Sequence, residues 1–360
     1  MKKKLFFFAA AVAAACSGRY QAPPAVPSIS LPAGADLRPY DAANPGLARP
    51  AQMVMLGGSA WVALGNYDAN YAVRGPAMLA SFVPSTGTVA LTDLGGSDGK
   101  QCQEAGWVRS DGTMLFATCS GDINTFPETG TAIVEVDPAR GVTRTVQTPV
   151  SPSGLTVTPA RLWFGDAATG NVYAVDRTSF AIAAGPVALA CPSTGNYQTV
   201  SDLTLLGGDI YAICSNSDDG VINRLDATTG SVKDHAAVGP IAVELTVTGD
   251  GRIAVVSGLD NKLRLVTPGS PLSVEVAYTF GGQTSTLQDV KALDQFVFTV
   301  ASGSNTVQKI DLSARGGPAL ADEQNVGTGA SPWSILPLDD SQALVANQGS
   351  NSIVAVKWAR

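Results

Sequence analysis

Four short apolar segments carry an acid at their second place: QEAGW with Glu104, SDLTL with Asp202, VELTV with Glu244 and QDVKA with Asp289. A carboxylate inside an apolar strand is costly unless something meets its charge, so the recurrence asks for a shared destination. Two residues further on, and hence on the same strand face, stand Thr204, Thr246 and Lys291, with Thr156 at the matching place in SGLTV. Converging acids, helped by threonine hydroxyls and water, supply the loose shell of about six to eight oxygens that a calcium ion takes. Such an ion polarises a carbonyl and activates water. Glu104, Asp202, Glu244 and Asp289 therefore form a candidate calcium site, and Lys291, Thr156, Thr204 and Thr246 extend it into a candidate ligand surface.

These segments belong to a repeat. A strand ending near Asp, followed by a Thr/Ser/Gly turn, recurs as SFVPSTG, VEVDPARG, YAVDRTS, NRLDATTG, LRLVTPGS, QKIDLSA and VAVKW, at an average spacing of about 46 residues, the length of a four-stranded propeller blade. The segments alternate with period two and are bounded by Gly, Asp and Asn, and no amphipathic helical stretch interrupts them. The pattern predicts an all-β chain, a seven-bladed β-propeller of four-stranded blades over residues 35–360. Its innermost strands read QMVML, QEAGW, SGLTV, SDLTL, VELTV, QDVKA and WSILP. Met53, Glu104, Gly154, Asp202, Glu244, Asp289 and Ser334 then share one column facing the central channel, while Val54, Ala105, Leu155, Leu203, Leu245, Val290 and Ile335 pack between blades.

ALVANQGSNSIVAVKW and FVFTVASGSNTVQKIDLSA resemble the YVTN-type propeller repeat, in which Tyr-Val-Thr-Asn, a Ser/Gly/Asn turn and Val-x-Val-Ile-Asp follow one another. The resemblance spans nearly all of residues 50–358 and implies a fold rather than a function, since such propellers host binders, scaffolds and enzymes. The last repeat ends at the third strand of its blade, and ADLRPYDA (35–42) is expected to supply the missing outer strand. A calcium-dependent lactonase of the gluconolactonase kind is also a propeller with a metal at its channel mouth, but that family's metal set includes asparagines, and this column has none.

The chain opens MKKKLFFFAAAVAAACSG, with a basic start, a short apolar run and small residues leading to Cys16, the form of an export signal over residues 1–15. AAAC resembles the lipobox of bacterial lipoproteins, which implies a lipid on Cys16 and, with Ser17 beside it, the outer membrane; a plain signal peptide would leave the protein in the periplasm. Residues 16–34, rich in proline and small residues, read as a tether. Removing residues 1–15 takes three lysines with it and shifts the formal charge from −7 to −10. That charge repels nucleic acid and anionic headgroups, so membrane contact is expected through the lipid alone.

Cys102, Cys119, Cys191 and Cys214 make an even set for an oxidising compartment. Three pairings are formally possible. Cys119 and Cys214 occupy the same column of blades two and four, which are not neighbours, so the repeat favours Cys102 with Cys119 and Cys191 with Cys214. His235, the sole histidine, lies on an expected outer strand, so a Ser/His/Asp triad, a histidine-ligated zinc and a histidine-bound haem lack their parts. The expectation is a module that binds an envelope protein, a glycan or a small ligand through its funnel face and channel, with a calcium-dependent lactonase-like hydrolase as the alternative.

Overall fold

The structure, a computed structural model, describes residues 48–358 apart from 69, 85, 123–124, 126–127, 194–197 and 282–285. The export signal, Cys16, the tether and the expected closing strand at 35–42 lie outside the described residues.

Antiparallel strands succeed one another in seven blades, and the first strand of each is innermost. Six blades have four strands, and blade seven contributes three among the described residues: Pro332–Pro337, Gln342–Asn347 and Ser352–Lys357. Each inner strand lies against the inner strands of the blades before and after it, and that of blade seven lies against that of blade one. Met53, Val62 and Phe82 of blade one share a hydrophobic cluster with Leu336, Leu344 and Ile353 of blade seven, so packing as well as chain order closes the ring.

The recurrent Asp of the repeat has a local cause. Asp137, Asp176, Asp226 and Asp311 each end a third strand, and their Oδ1 atoms accept the backbone N–H two residues on, from Ala139, Thr178, Thr228 and Ser313. This Asx turn starts the hairpin to the outer strand without a glycine at its first step. The hairpins between first and second strands use other chemistry. In blade four, Gly207 and Gly208 both take positive φ, at 60° and 86°, which the tight turn between Leu206 and Asp209 requires.

The inner strands, at Pro50–Leu56, Ala105–Ser110, Pro152–Val157, Thr199–Leu206, Ala242–Val247, Leu287–Leu293 and Pro332–Pro337, all carry a break in register against their second strands. A bulge places two residues opposite one and re-aims side chains. Val243 and Glu244 are consecutive, yet both line the axial cavity, an outcome that strict alternation forbids. His235 is exposed on the outer strand of blade four, as expected.

Candidate functional site

The register corrects two of the seven inner-strand alignments. Leu203 pairs with Ala212, and the equivalent of Ala212 in blade two is Ala117, whose partner is Val108; in blade one Met53 pairs with Val62. The column packed between blades is therefore Met53, Val108, Leu155, Leu203, Leu245, Val290 and Ile335, all of it buried. The channel column is Gln52, Trp107, Gly154, Asp202, Glu244, Asp289 and Ser334. The alignment slips by one residue in blade one and by three in blade two, while blades three to seven stand as read from the repeat. Glu104 falls out of the acid column for a visible reason. It has φ 56° and sits at the step into its inner strand, where Arg49, Ile241, Thr286 and Ser331 also take positive φ.

The same correction brings in Arg109. It occupies the column of Thr156, Thr204, Thr246 and Lys291, and its Nη2 donates to Asp202 Oδ1 at 3.1 Å and to Glu244 Oε1 at 3.3 Å. Blade two does not adjoin blade four or blade five, so this arm crosses the channel. Lys291 Nζ meets Glu244 Oε1 at 3.0 Å and also donates to Asp289 Oδ1. Asp289 accepts two backbone N–H groups besides, from Val290 at 2.8 Å and from Ile335 of the next blade at 2.9 Å. Gly154 stands beside Asp202 because a Cβ there would meet the Asp202 Cα at 2.7 Å.

Asp202 and Asp289 are 0% exposed and Glu244 2%, so these charges are met by side chains rather than by water. Burial opposes the charge on Arg109 and Lys291, but the surrounding acids outweigh it and both pKa values are raised. Burial, then the nearby Asp202, pushes the Glu244 carboxyl well above the usual range. The four-acid calcium set is thus not assembled. Three of its members are bound to two cations, Glu104 stands apart, and no cluster of His, Cys, Asp or Glu arranged for a metal occurs among the described residues. Thr156, Thr204 and Thr246 lie one pleat beyond the acids, outside the cavity described next.

Above this ion-pair floor lies a cavity of about 370 Å³, to which all seven blades contribute. Its size suits a small organic ligand. Tyr67, Tyr71, Trp107 and Trp333 supply aromatic wall, and Tyr67 and Tyr71 are stacked at 5.5 Å. The Trp107 N–H of the backbone donates to Thr118 Oγ1 at 3.1 Å, which holds the bulge that turns the indole inward. Three lining atoms have no hydrogen-bond partner among the described residues: Gln52 Oε1, Glu104 Oε2 and Trp107 Nε1. Gln52 is 3% exposed, and burying an unpaired polar atom costs about 1–3 kcal/mol. Burial, followed by the repulsion of Asp122, raises the Glu104 pKa to about 8.

Both disulfides form as the repeat indicates, Cys102 with Cys119 and Cys191 with Cys214, at Cα separations of 5.2 and 5.3 Å. Cys102 precedes the wall residues Ala105, Gly106 and Trp107, and the second bridge closes the segment leading to Thr199 and Ser201.

The signal for Trp107 and Arg109 was present in those cysteines. Cys119 and Cys214 share a column, and the step back from Cys214 to Asp202, taken from Cys119, lands on Trp107 with Arg109 two residues later. The loop 66–71 follows a second strand and so belongs to the funnel face by the repeat alone, but the repeat does not specify that Tyr67 and Tyr71 turn into the cavity.

No protein-family model and no curated protein matches the chain. Among solved structures it is similar to virginiamycin B lyase from Staphylococcus aureus, at 14% identity and TM-score 0.65 over 87% of this chain and 96% of that one. It is also similar to Kuenenia stuttgartiensis hydrazine synthase, at 13% and 0.65 over 89% and 98%. A third likeness is to BamB from Moraxella catarrhalis, at 13% and 0.54 over 86% and 85%. At such identities these likenesses show the propeller fold, and what the cavity takes must be read from its own residues.

Proposed function

We propose that this protein is an exported, lipid-anchored envelope propeller that binds a small organic ligand in its axial cavity. The observation that carries the reading is the cup itself: aromatic rings from blades one, two and seven, orphaned polar atoms in the wall, and Glu244 held at its base by Arg109 and Lys291. Native proteins leave few buried polar atoms unpaired, and a ligand that pairs them gains both hydrogen bonds and aromatic contact. The lactonase reading needs four acids on one ion, and three of those acids already hold cations.

Native mass spectrometry of the mature protein after incubation with envelope extract and desalting tests the cavity. A small-molecule adduct is expected on the parent and is expected to be lost in Trp333→Ala, which removes one wall while leaving the ion-pair floor in place. An adduct retained unchanged by that variant means that the ligand sits elsewhere.

Export is supported by the opening MKKKLFFFAAAVAAAC and by two disulfides, which persist in oxidising compartments. Cys16→Ser is expected to release the protein from the membrane fraction into the soluble one and to alter its processing. Unchanged processing with continued membrane fractionation would remove the lipid from this reading.

A further inference from the structure

Building on the reading of the cavity as a ligand site, we infer that its ligand is an organic cation, an ammonium head on an apolar stem, with the head against the Glu104 carboxylate and the stem among the aromatic rings. Two of the three orphaned atoms, Gln52 Oε1 and Glu104 Oε2, are acceptors and call for donors from the ligand, whereas the third, Trp107 Nε1, is a donor that an ammonium head leaves to another acceptor.

Charge points the same way. Glu104 and Glu244 line the cavity, whereas Arg49 is the one basic residue among the lining residues. Glu244 shares Arg109 and Lys291 with Asp202 and Asp289, and burial holds back its own ionisation, so the floor brings no surplus positive charge to the cavity. Around Glu104 stand Asp122, which repels its charge, and the phenol of Tyr67, whose own ionisation is held up first by burial and then by Glu104. The Arg49 guanidinium lies over the Tyr67 ring, 5.6 Å from its centroid, and its Nε donates to the Tyr67 carbonyl at 3.4 Å. An incoming positive charge therefore meets an acid that the wall leaves unpaired.

Aromatic faces attract cations, more strongly where water is excluded. Tyr67 already serves Arg49 in that way, and the rings of Trp107 and Trp333 also line the cavity.

Burial leaves Glu104 holding a proton at neutral pH, with a pKa of about 8. A cation takes the place of that proton. The bound state has the lower carboxyl pKa, so binding below pH 8 releases a proton, and affinity rises as pH climbs through 8 until the ammonium itself begins to lose its proton. Only the ionised fraction of Glu104 is competent, which makes the gain between pH 7 and pH 9 about tenfold.

Calorimetry with 2-phenylethylammonium, 2-phenylethanol and 3-phenylpropanoate, run in two buffers of different ionisation heat, tests this on the mature protein. The ammonium is expected to bind at least about tenfold more tightly than the alcohol, to release nearly one proton per molecule at pH 7, and to show the stated rise with pH. Glu104→Gln, which keeps the size of the side chain, is expected to abolish proton release and to bring the ammonium down to the level of the alcohol. If the alcohol or the anion binds as well as the ammonium, or the parent releases no proton, the inference fails while the cavity remains a ligand site. Failure of all three probes to bind overturns both readings. The parent's proton release is measured without any variant, so misfolding of Glu104→Gln does not blunt the test.

Discussion

Replacing Arg109 by Met is expected to lower the stability of the propeller by about 3–5 kcal/mol, because it strips a partner from two buried acids at once. Its guanidinium is the contact that Asp202 makes with a cation, and it shares Glu244 with Lys291. A methionine of similar length fills the space, so the loss reports charge rather than a cavity. The deficit should depend on pH with a definite sign. Glu244 has a raised pKa in the folded state, first through burial and then through Asp202. An acid raised in this way favours the folded state at low pH, and that contribution is lost as pH rises through its shifted value. Without Arg109 the shift grows, so the deficit should be smaller at about pH 5 than at about pH 8. Adding Glu244→Gln should recover part of the stability. Urea unfolding of parent, single and double variants decides the matter; equal midpoints for parent and Arg109→Met would mean that water, not Arg109, carries these charges.

The second large effect concerns the cysteines. Converting Cys191 and Cys214 to Ala should cost about 3 kcal/mol, and converting Cys102 and Cys119 about the same, since each bridge closes a loop of moderate length and limits the unfolded chain. The sequence separations are 23 and 17 residues. The two pairs lie in different parts of the ring, so their losses should add within a few tenths of a kcal/mol. Each bridge also holds a stretch of cavity wall, and the variants should lose the small-molecule adduct before they lose the fold. Denaturant midpoints measured on the oxidised parent and the paired-Ala variants test the stability claim. A pair whose removal leaves the midpoint in place is ornamental to folding.

The seven-blade ring, the Asp turns, both disulfide pairings and the shared column of Asp202, Glu244 and Asp289 were legible in the sequence. Each rests on a local rule: period-two alternation, an Asx turn, or a fixed step within one repeat. Inner-strand alignment failed in blade one, where Gln52 stands in the channel column, and in blade two, where Trp107 does. Glu104 supplied a false match there, because an acid followed by a small apolar residue looks the same whether it enters a strand or stands one step outside it.

By itself, then, the sequence determined the inner-strand alignment of blades three to seven and which cysteines meet, since strand period and the step within one repeat depend on chain neighbours alone. Only the tertiary structure decided what the axial acids bind. Arg109 reaches Asp202 and Glu244 from the far side of the ring, across a gap whose width depends on how seven blades close. The bulges, each a single added residue with little sequence signature, set which of two consecutive side chains enters the cavity. Long-range charge pairing and local bulges are what turn an expected ring of four acids into an ion-paired cluster of three, with Glu104 left unpaired in the wall above it.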